Sequence, residues 1–508
     1  MEPTNLYQAF EQQFPQDRTT ALLTDLAGQS VDYLEAARQS SRLANLLSEL
    51  GLEVGDRVTV QVEKSPGMLW LYLAVLRAGL VFHPLNTAYT NDELEYFLSD
   101  AAPSLVVCDP GREADFQGLC ARTGVTNLLM LDSNGAGSLI DKSNDCRDEF
   151  ENVATQLDDL AALLYSSGTT GRPKGIELTH RNLIDNAQVL VDYWGFTADD
   201  CLLHALPTFH VHGLFVAIGC VLMSGASMRW LPKFDAATVK KNLPHSTVMM
   251  GVPTYYTRLL ADPTFGAGDC SNMRLFISGS APLLSETFIE FEKRTGHTIL
   301  ERYGMTETNM NTSNPLLGER RAGTVGFPLP GVSVRVAGPD GAPVPPGEVG
   351  DLQVKGNNVF RSYRNMPEKT AEDFTADGFF MTGDKGQIDS DGYVSIVGRS
   401  KDMVISGGLN IYPKEIELLI DDLPGVLESA VIGLPHPDLG EAVAAVVVPS
   451  RSDDLSTDEV RRYVREHAAG FKVPKKVYIV DELPRNTMGK VQKNLLREGY
   501  AGEFKVTA

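Results

Sequence analysis

Two textures of apolar residues alternate along the first three hundred positions of this chain. Stretches such as Tyr33 to Leu50 repeat apolar side chains at helical spacing. Between them run short Val/Leu/Ile segments, among them Val58-Thr59-Val60-Gln61-Val62, Ser104-Leu105-Val106-Val107 and Leu128-Leu129-Met130-Leu131. That alternation predicts βα units around mostly parallel sheets. From Gly331 the texture changes. Val332-Ser333-Val334-Arg335-Val336 and Gly350-Asp351-Leu352-Gln353-Val354 flank a Gly/Pro-rich turn at Gly338 to Gly347, which predicts an antiparallel, barrel-like section. A strand then ends in the charged turn Gly398-Arg399-Ser400-Lys401-Asp402, and a smaller α+β segment follows. There Ser456-Thr457-Asp458-Glu459 reads as a capping box opening a helix to His467, and Pro413 suits the first turn of another. The predicted class is α/β, with a large unit followed by a small one.

Composition narrows the function. At 508 residues the chain is too long for one core, and 43% hydrophobic with 22% charged residues is the balance of a soluble globular enzyme. A formal net charge of −21 repels phosphate backbones, so neither nucleic acid nor an anionic membrane is an expected partner. Cys108, Cys120, Cys146, Cys201, Cys220 and Cys270 contain no CxxC pair, which excludes a zinc site and a disulfide framework and suits a reducing compartment. The start has no basic region followed by an apolar core, and the apolar stretches at Met68 to Leu85 and Gly213 to Met223 are interrupted or too short to span a bilayer. A cytoplasmic enzyme is expected.

The candidate chemistry is concentrated in Tyr165-Ser166-Ser167-Gly168-Thr169-Thr170-Gly171-Arg172-Pro173-Lys174-Gly175. Its glycines let backbone N–H groups converge on an anion, while Ser166, Ser167, Thr169 and Thr170 add hydroxyls and Lys174 a mobile charge. No Ser or Thr follows Lys174, and the apolar run after it is strand-like, so the loop joins two strands and is not a P-loop opening a helix.

This string resembles the phosphate loop of the adenylate-forming superfamily of acyl-CoA synthetases, luciferase-like enzymes and adenylation domains. Tyr303-Gly304-Met305-Thr306-Glu307, Thr382-Gly383-Asp384, Gly398-Arg399-Ser400-Lys401-Asp402 and Pro484-Arg485-Asn486-Thr487-Met488-Gly489-Lys490 resemble further motifs of that superfamily, in its order. The resemblance covers nearly the whole chain. It implies a large domain of two βα-layered subdomains and a small β-barrel section over residues 1–399, and a mobile α+β domain over 400–508. It further implies that a carboxylate attacks the α-phosphate of ATP, releasing pyrophosphate, and that the acyl-adenylate is captured by coenzyme A. Two anions must meet, so such a site needs fixed positive charge more than a base.

Carried over residue by residue, the resemblance makes Lys490 the catalytic lysine and Glu307 the Mg²⁺ ligand, with Thr169 and His210 also at the reacting centre. The nucleotide falls to residues 166–171 (Ser166, Ser167, Gly168, Thr169, Thr170, Gly171), Lys174, Asp384 and Arg399 on the ribose, and walls built by Gly279, Ser280, Ala281, Glu301, Arg302, Tyr303, Gly304, Met305 and Thr306. Coenzyme A falls to Lys401, Ser406, Gly407, Gly408 and Asn410, with the hinge at Asp402. Lys490 is also the kind of lysine that an acetyltransferase and deacetylase would switch, since acetylation removes the charge. Taken alone, each side chain has a plainer use: Lys490 as a solvated lysine, Glu307 as a helix cap, Asp384 in an Asx-turn, Tyr303 or His210 in a core, Gly407 and Gly408 in a tight turn.

For the acid, Gly251-Val252-Pro253-Thr254-Tyr255-Tyr256-Thr257-Arg258 puts an arginine where the superfamily lines its acyl pocket. A second carboxylate would be a buried charge needing a cation, and arginine's planar fork suits it. The combination of Arg258, Ser278, Tyr303 to Asn311 and Gly318 to Gly326 resembles the malonate-activating members of that superfamily, which implies malonate as the substrate, held by Arg258 and Ser278 with His210 and Met305 beside it. On a helix face Arg258 is otherwise a surface arginine. Methylmalonate or oxalate, or transfer to a carrier protein in place of coenzyme A, are the alternatives; a nucleotide sensor would have no use for Lys490.

Overall fold

The computed structural model describes residues 3–166, 173–399, 402–406, 409–436, 439–450, 455–468, 470–486 and 489–504. Apolar periodicity becomes helix where it was expected: Tyr33–Glu49 is capped by Asp32, whose side chain accepts from the Glu35 N–H. The apolar stretch from Met68 is no membrane span. It divides into the helix Pro66–Arg77 and the strand Val81–Pro84, both almost wholly buried.

Among the described residues two large sheets dominate. The first has seven strands in the order Ser362–Tyr363, Lys174–Thr179, Leu160–Ser166, Val81–Pro84, Arg57–Gln61, Leu105–Cys108, Asn127–Met130. Its centre is parallel, and Leu105–Cys108 is buried along its length, as a strand covered on both faces must be. The second has nine strands, with Cys201–His204, Val248–Gly251, Leu275–Ser278 and Leu300–Met305 parallel at its centre and Asn309–Ser313 antiparallel at one side. One continuous core joins the two sheets.

Four antiparallel strands, Ser333–Ala337, Gly350–Lys355, Phe380–Ile388 and Val394–Arg399, make the barrel-like section foreseen from the texture change. A smaller sheet then gathers Val404–Ser406, Leu409–Ile411, Val426–His436, Gly440–Pro449 and Lys476–Ile479 around its own apolar clusters. The helix Pro413–Asp421 begins at the proline, and Ser456 caps Thr457–His467 by accepting from the Glu459 N–H. The fold is α/β with a large N-terminal domain and a smaller C-terminal one.

Candidate active site

Leu160–Ser166 and Lys174–Thr179 pair antiparallel, so the Gly/Ser/Thr string does connect two strands. Ser167, Gly168, Thr169, Thr170 and Gly171 lie outside the described residues, whereas the ends of the loop are fixed. The Ser166 Oγ is buried without a partner among the described residues. Lys174 sits 3.4 Å from Asp373 and stacks on Tyr363, its Nζ 3.9 Å from the ring centroid. The Tyr363 hydroxyl donates to Glu307 Oε1 at 3.4 Å, and the Glu307 carbonyl accepts from the Phe360 N–H at 2.7 Å. One tyrosine ring thus ties the loop lysine to Glu307. Burial, then the charges of Glu307 and Asp373, raise the Tyr363 pKa and keep it a donor.

Tyr303 and Asp384, 81 residues apart, meet: the phenol donates to Asp384 Oδ2 at 2.5 Å. Thr382 accepts from the Asp384 N–H, and Asp384 pairs in register with Arg399 across two strands. The Arg399 side chain lies outside the described atoms. Gly304 is required by the turn into Asn309–Ser313, because a Cβ there would stand 1.9 Å from the Asn309 carbonyl oxygen. Met305 and Thr306 follow at half-buried positions.

On the strand Leu300–Met305 successive side chains face opposite ways. Glu301 turns toward the Ser278-to-Leu283 turn, where its Oε1 accepts from the Leu283 N–H at 3.0 Å. Burial pushes its carboxyl up to about 8. That turn holds Ser280 at a positive φ of 72°, a strained conformation for a residue with a Cβ, and its hydroxyl lies 3.2 Å from His212 Nδ1. Ala281 is half-buried beside it. Arg302 faces the other way. It is 2% exposed, and a Cβ on Gly279 would stand 2.5 Å from its Cζ, so the guanidinium lies directly against the backbone of that turn. The sequence placed Arg302 in the adenine wall with Glu301. Strand alternation puts the two side chains on opposite faces, and the Arg302 charge is felt at His210 and His212.

His210 is held by the turn Pro207 to Gly213, which leads into a π-helix at His212–Ile218, a rare form concentrated at functional sites. The turn is anchored from outside the sequence motifs. Lys64, 8% exposed, donates to His204 Nδ1 at 2.6 Å and to the carbonyls of His204 and Leu231 at 2.8 and 2.7 Å. His204 then bonds the Gly213 carbonyl through Nε2 at 2.9 Å. Because Nδ1 accepts, Nε2 carries the proton. Local sequence offers no signal for Lys64, which is 140 positions from its partner. His210 Nδ1 similarly accepts from the His212 N–H, which leaves Nε2–H as a donor. Burial takes His210 down to about 4, with Arg302 and Lys490 adding their positive charge, so it is neutral at pH 7. It can polarise and orient a carboxylate without exchanging a proton with it.

Arg258 lies on the helix Pro253–Leu260 as expected, but exposed, close to Tyr255. The enclosed setting argued for it from sequence belongs to other groups. Ser278 Oγ, His212 Nε2 and Arg302 Nε and Nη2 are all buried with no partner among the described residues.

Lys490 sits exposed where a tight turn is closed by the bonds between Asn486 and Lys490, with Arg485 donating to the Gly489 carbonyl at 2.6 Å. The turn rests on the large domain: a Cβ on Gly489 would be 3.4 Å from Thr254 Oγ1, and the Lys490 charge is felt at His210. Asp402 pairs with Arg497 at 2.6 Å. Of the residues expected to take coenzyme A, Ser406 is buried opposite Leu409, while Lys401, Gly407, Gly408 and the Asn410 side chain lie outside the described part.

Three comparisons fit this geometry. The chain is 37% identical over 480 residues to a feruloyl-CoA synthase of Amycolatopsis (93% of this chain, 94% of that protein). It is 35% identical over 481 residues to a malonate–CoA ligase of Arabidopsis thaliana (88% and 79%). It is 52% identical to MatB of Rhodopseudomonas palustris, covering 99% of each chain, with a TM-score of 0.96 to the ATP-bound crystal structure and 0.86 to the apo one. The Lys490 turn packed on Thr254 accompanies the closer match to the ATP-bound form. The profile of the AMP-binding enzymes matches residues 8–364 and that of their C-terminal domain residues 415–490. This chain therefore belongs to the AMP-binding enzyme family, as an AMP-forming acyl-CoA synthetase.

Proposed function

We propose that this chain is an ATP-dependent malonate:CoA ligase, converting malonate, ATP and coenzyme A to malonyl-CoA, AMP and pyrophosphate. The observation that carries this reading is the cationic, hydrogen-bonding surroundings of His210, which feels the positive charges of both Arg302 and Lys490, together with the buried, unmatched polar groups Ser278 Oγ, His212 Nε2 and Arg302 Nε and Nη2. Beyond its single reacting carboxylate a fatty acid would bring only apolar surface and leave those polar groups unmet. Malonate is also the acid in the name of the Arabidopsis relative.

In the first half-reaction a malonate oxygen bonds to the α-phosphorus and the bond from that phosphorus to the bridging oxygen breaks, with pyrophosphate leaving. Lys490 offsets the repulsion of the two anions, and His210 Nε2–H fixes the attacking carboxylate. Tyr303 holds Asp384 for the ribose, Glu301 supports the turn beside the base, and Lys174 exchanges Asp373 for the terminal phosphates. Glu307 would hold Mg²⁺ together with those phosphates, one carboxylate plus substrate oxygens being the usual set, and the ion would neutralise phosphate charge. In the second half-reaction the coenzyme A thiolate adds to the acyl carbonyl and AMP leaves. The 400–508 domain turns about Asp402 to admit the thiol, which requires the Asp402–Arg497 pair to open and the Lys490 turn to leave Thr254. Acetylation of Lys490, whose side chain is exposed, would stop the first step alone.

No helix among the described residues is long and apolar enough to cross a membrane, and the six cysteines are all unpaired. With the net charge of −21, this favours the cytoplasm and argues against nucleic-acid partners. The test is pyrophosphate release with malonate, methylmalonate, oxalate, acetate, ferulate and octanoate, with and without coenzyme A. Malonate should lead by at least tenfold; a larger rate with any other acid removes the malonate reading. A carrier protein replacing coenzyme A as acceptor would remove the ligase reading.

A further inference from the structure

A lysine shut away from water is normally paired with a carboxylate, because an isolated buried charge is among the costliest arrangements in a fold. Lys64 is held differently. Among the described residues its Nζ meets His204 Nδ1 at 2.6 Å, the His204 carbonyl at 2.8 Å and the Leu231 carbonyl at 2.7 Å, and no carboxylate. The Trp230 ring, stacked on His204 with 5.3 Å between centroids, lies 4.4 Å from the same nitrogen. Lys64, His204 and Trp230 are all buried.

Counting hydrogens fixes how these contacts are made. The two carbonyls only accept, so two N–H groups of Lys64 are engaged there. On the far side of His204, Nε2 lies 2.9 Å from the Gly213 carbonyl oxygen, which also only accepts, so Nε2 carries a hydrogen. The remaining contact joins Nζ to Nδ1 and needs one hydrogen more than a neutral amine and a neutral imidazole possess. Whichever nitrogen that proton rests on, the pair holds one positive charge. Without it, two lone pairs would face each other at 2.6 Å.

The His204 ring leads from this charge to the turn that carries His210. Gly213 accepts from it, and the next residue, Leu214, donates its N–H to the His210 carbonyl at 2.9 Å. The His212 N–H donates to His210 Nδ1 at 3.4 Å. Gly213 also closes against Pro207, whose carbonyl oxygen would stand 1.9 Å from a Cβ there. A turn packed this tightly passes a displacement of Gly213 on to His210 rather than absorbing it.

We propose that Lys64 is a positioning residue for the acid substrate: the single charge it shares with His204 keeps the imidazole donating to Gly213 and thereby sets the place of His210. This rests on the assignment of His210 to the attacking carboxylate, and Lys64 acts only through His204 and the turn.

The test is a double-mutant cycle on Lys64→Met and His204→Phe, with His210→Ala alongside, reading the KM for malonate, the KM for ATP, kcat and the thermal midpoint. Lys64→Met removes the charge at similar length, while His204→Phe leaves Lys64 its two carbonyls and cuts the link to Gly213. Each single variant should raise the malonate KM about tenfold with the ATP KM within about threefold of wild type. The double variant should be no worse than the more severe single one, since both cut one chain of contacts. Additive effects, or both KM values rising together as the midpoint falls, would show a merely structural lysine and overturn the proposal. So would a raised malonate KM in Lys64→Met with none in His210→Ala, because the effect would then bypass His210. Should Lys64→Met fail to fold, His204→Phe decides: a rise confined to malonate supports the chain of contacts, and an unchanged or uniformly impaired profile overturns it. Wild type that prefers another acid would sink the malonate reading instead, and the same cycle is then run with that acid.

Discussion

Glu301 offers a perturbation whose size follows from its surroundings. Buried among the turn residues, its carboxyl titrates at about 8 where an ordinary glutamate titrates at 4.5. The folded chain therefore keeps a proton that the unfolded chain has released, and the stability this provides is complete below pH 4.5 and lost as pH rises through 8. At about 1.4 kcal/mol per pH unit the whole gap is worth at most about 5 kcal/mol, of which about 3 kcal/mol disappears between pH 6 and pH 9. Glu301→Gln keeps an acceptor for the Leu283 N–H and removes the titration. Thermal unfolding from pH 6 to 9 should show the wild-type midpoint falling by several degrees more than that of the variant. The KM for ATP should rise above pH 8 in wild type alone, since ionisation loosens the turn proposed to support the base. Parallel midpoint curves for the two proteins would refute the argument, because Glu301 would then not be the group that titrates.

Lys490→Ala should lower malonate-dependent pyrophosphate release about 10²- to 10³-fold, while thioester formation from supplied malonyl-adenylate stays near the wild-type rate; equal damage to both steps would remove Lys490 from its assigned half-reaction. Gly213→Ala would bring a Cβ within 1.9 Å of the Pro207 carbonyl oxygen. The turn must shift, which should cost about 1–3 kcal/mol in stability and, by moving His210, raise the KM for malonate more than that for ATP; unchanged unfolding and kinetics would show that the turn tolerates the contact.

The reaction class and much of the fold were legible in the chain. The order of the five motifs named the reaction class, and the strands on either side of the phosphate loop were readable because apolar patterning is local. The texture change near Gly331 was also real: backbone pairing in that section is antiparallel. The surroundings of Arg302 were not legible, for an equally physical reason. Adjacent residues on a strand face opposite sides, but nothing in Glu301-Arg302 says which of the two bonds Leu283 and which is buried against Gly279.

By itself, then, the sequence determined what recurs at short range: helices, strands, glycines where no side chain fits, and the set of groups available for adenylation. Tertiary structure decided which of them meet. Lys64 reaches His204 across 140 positions, Tyr303 reaches Asp384 across 81, and Tyr363 bridges Lys174 to Glu307. Burial was decided there too. It makes His210 a neutral donor, keeps the proton on Glu301, and leaves Arg302 rather than Arg258 as the enclosed cation, because solvation is a property of the surrounding fold and not of the residue.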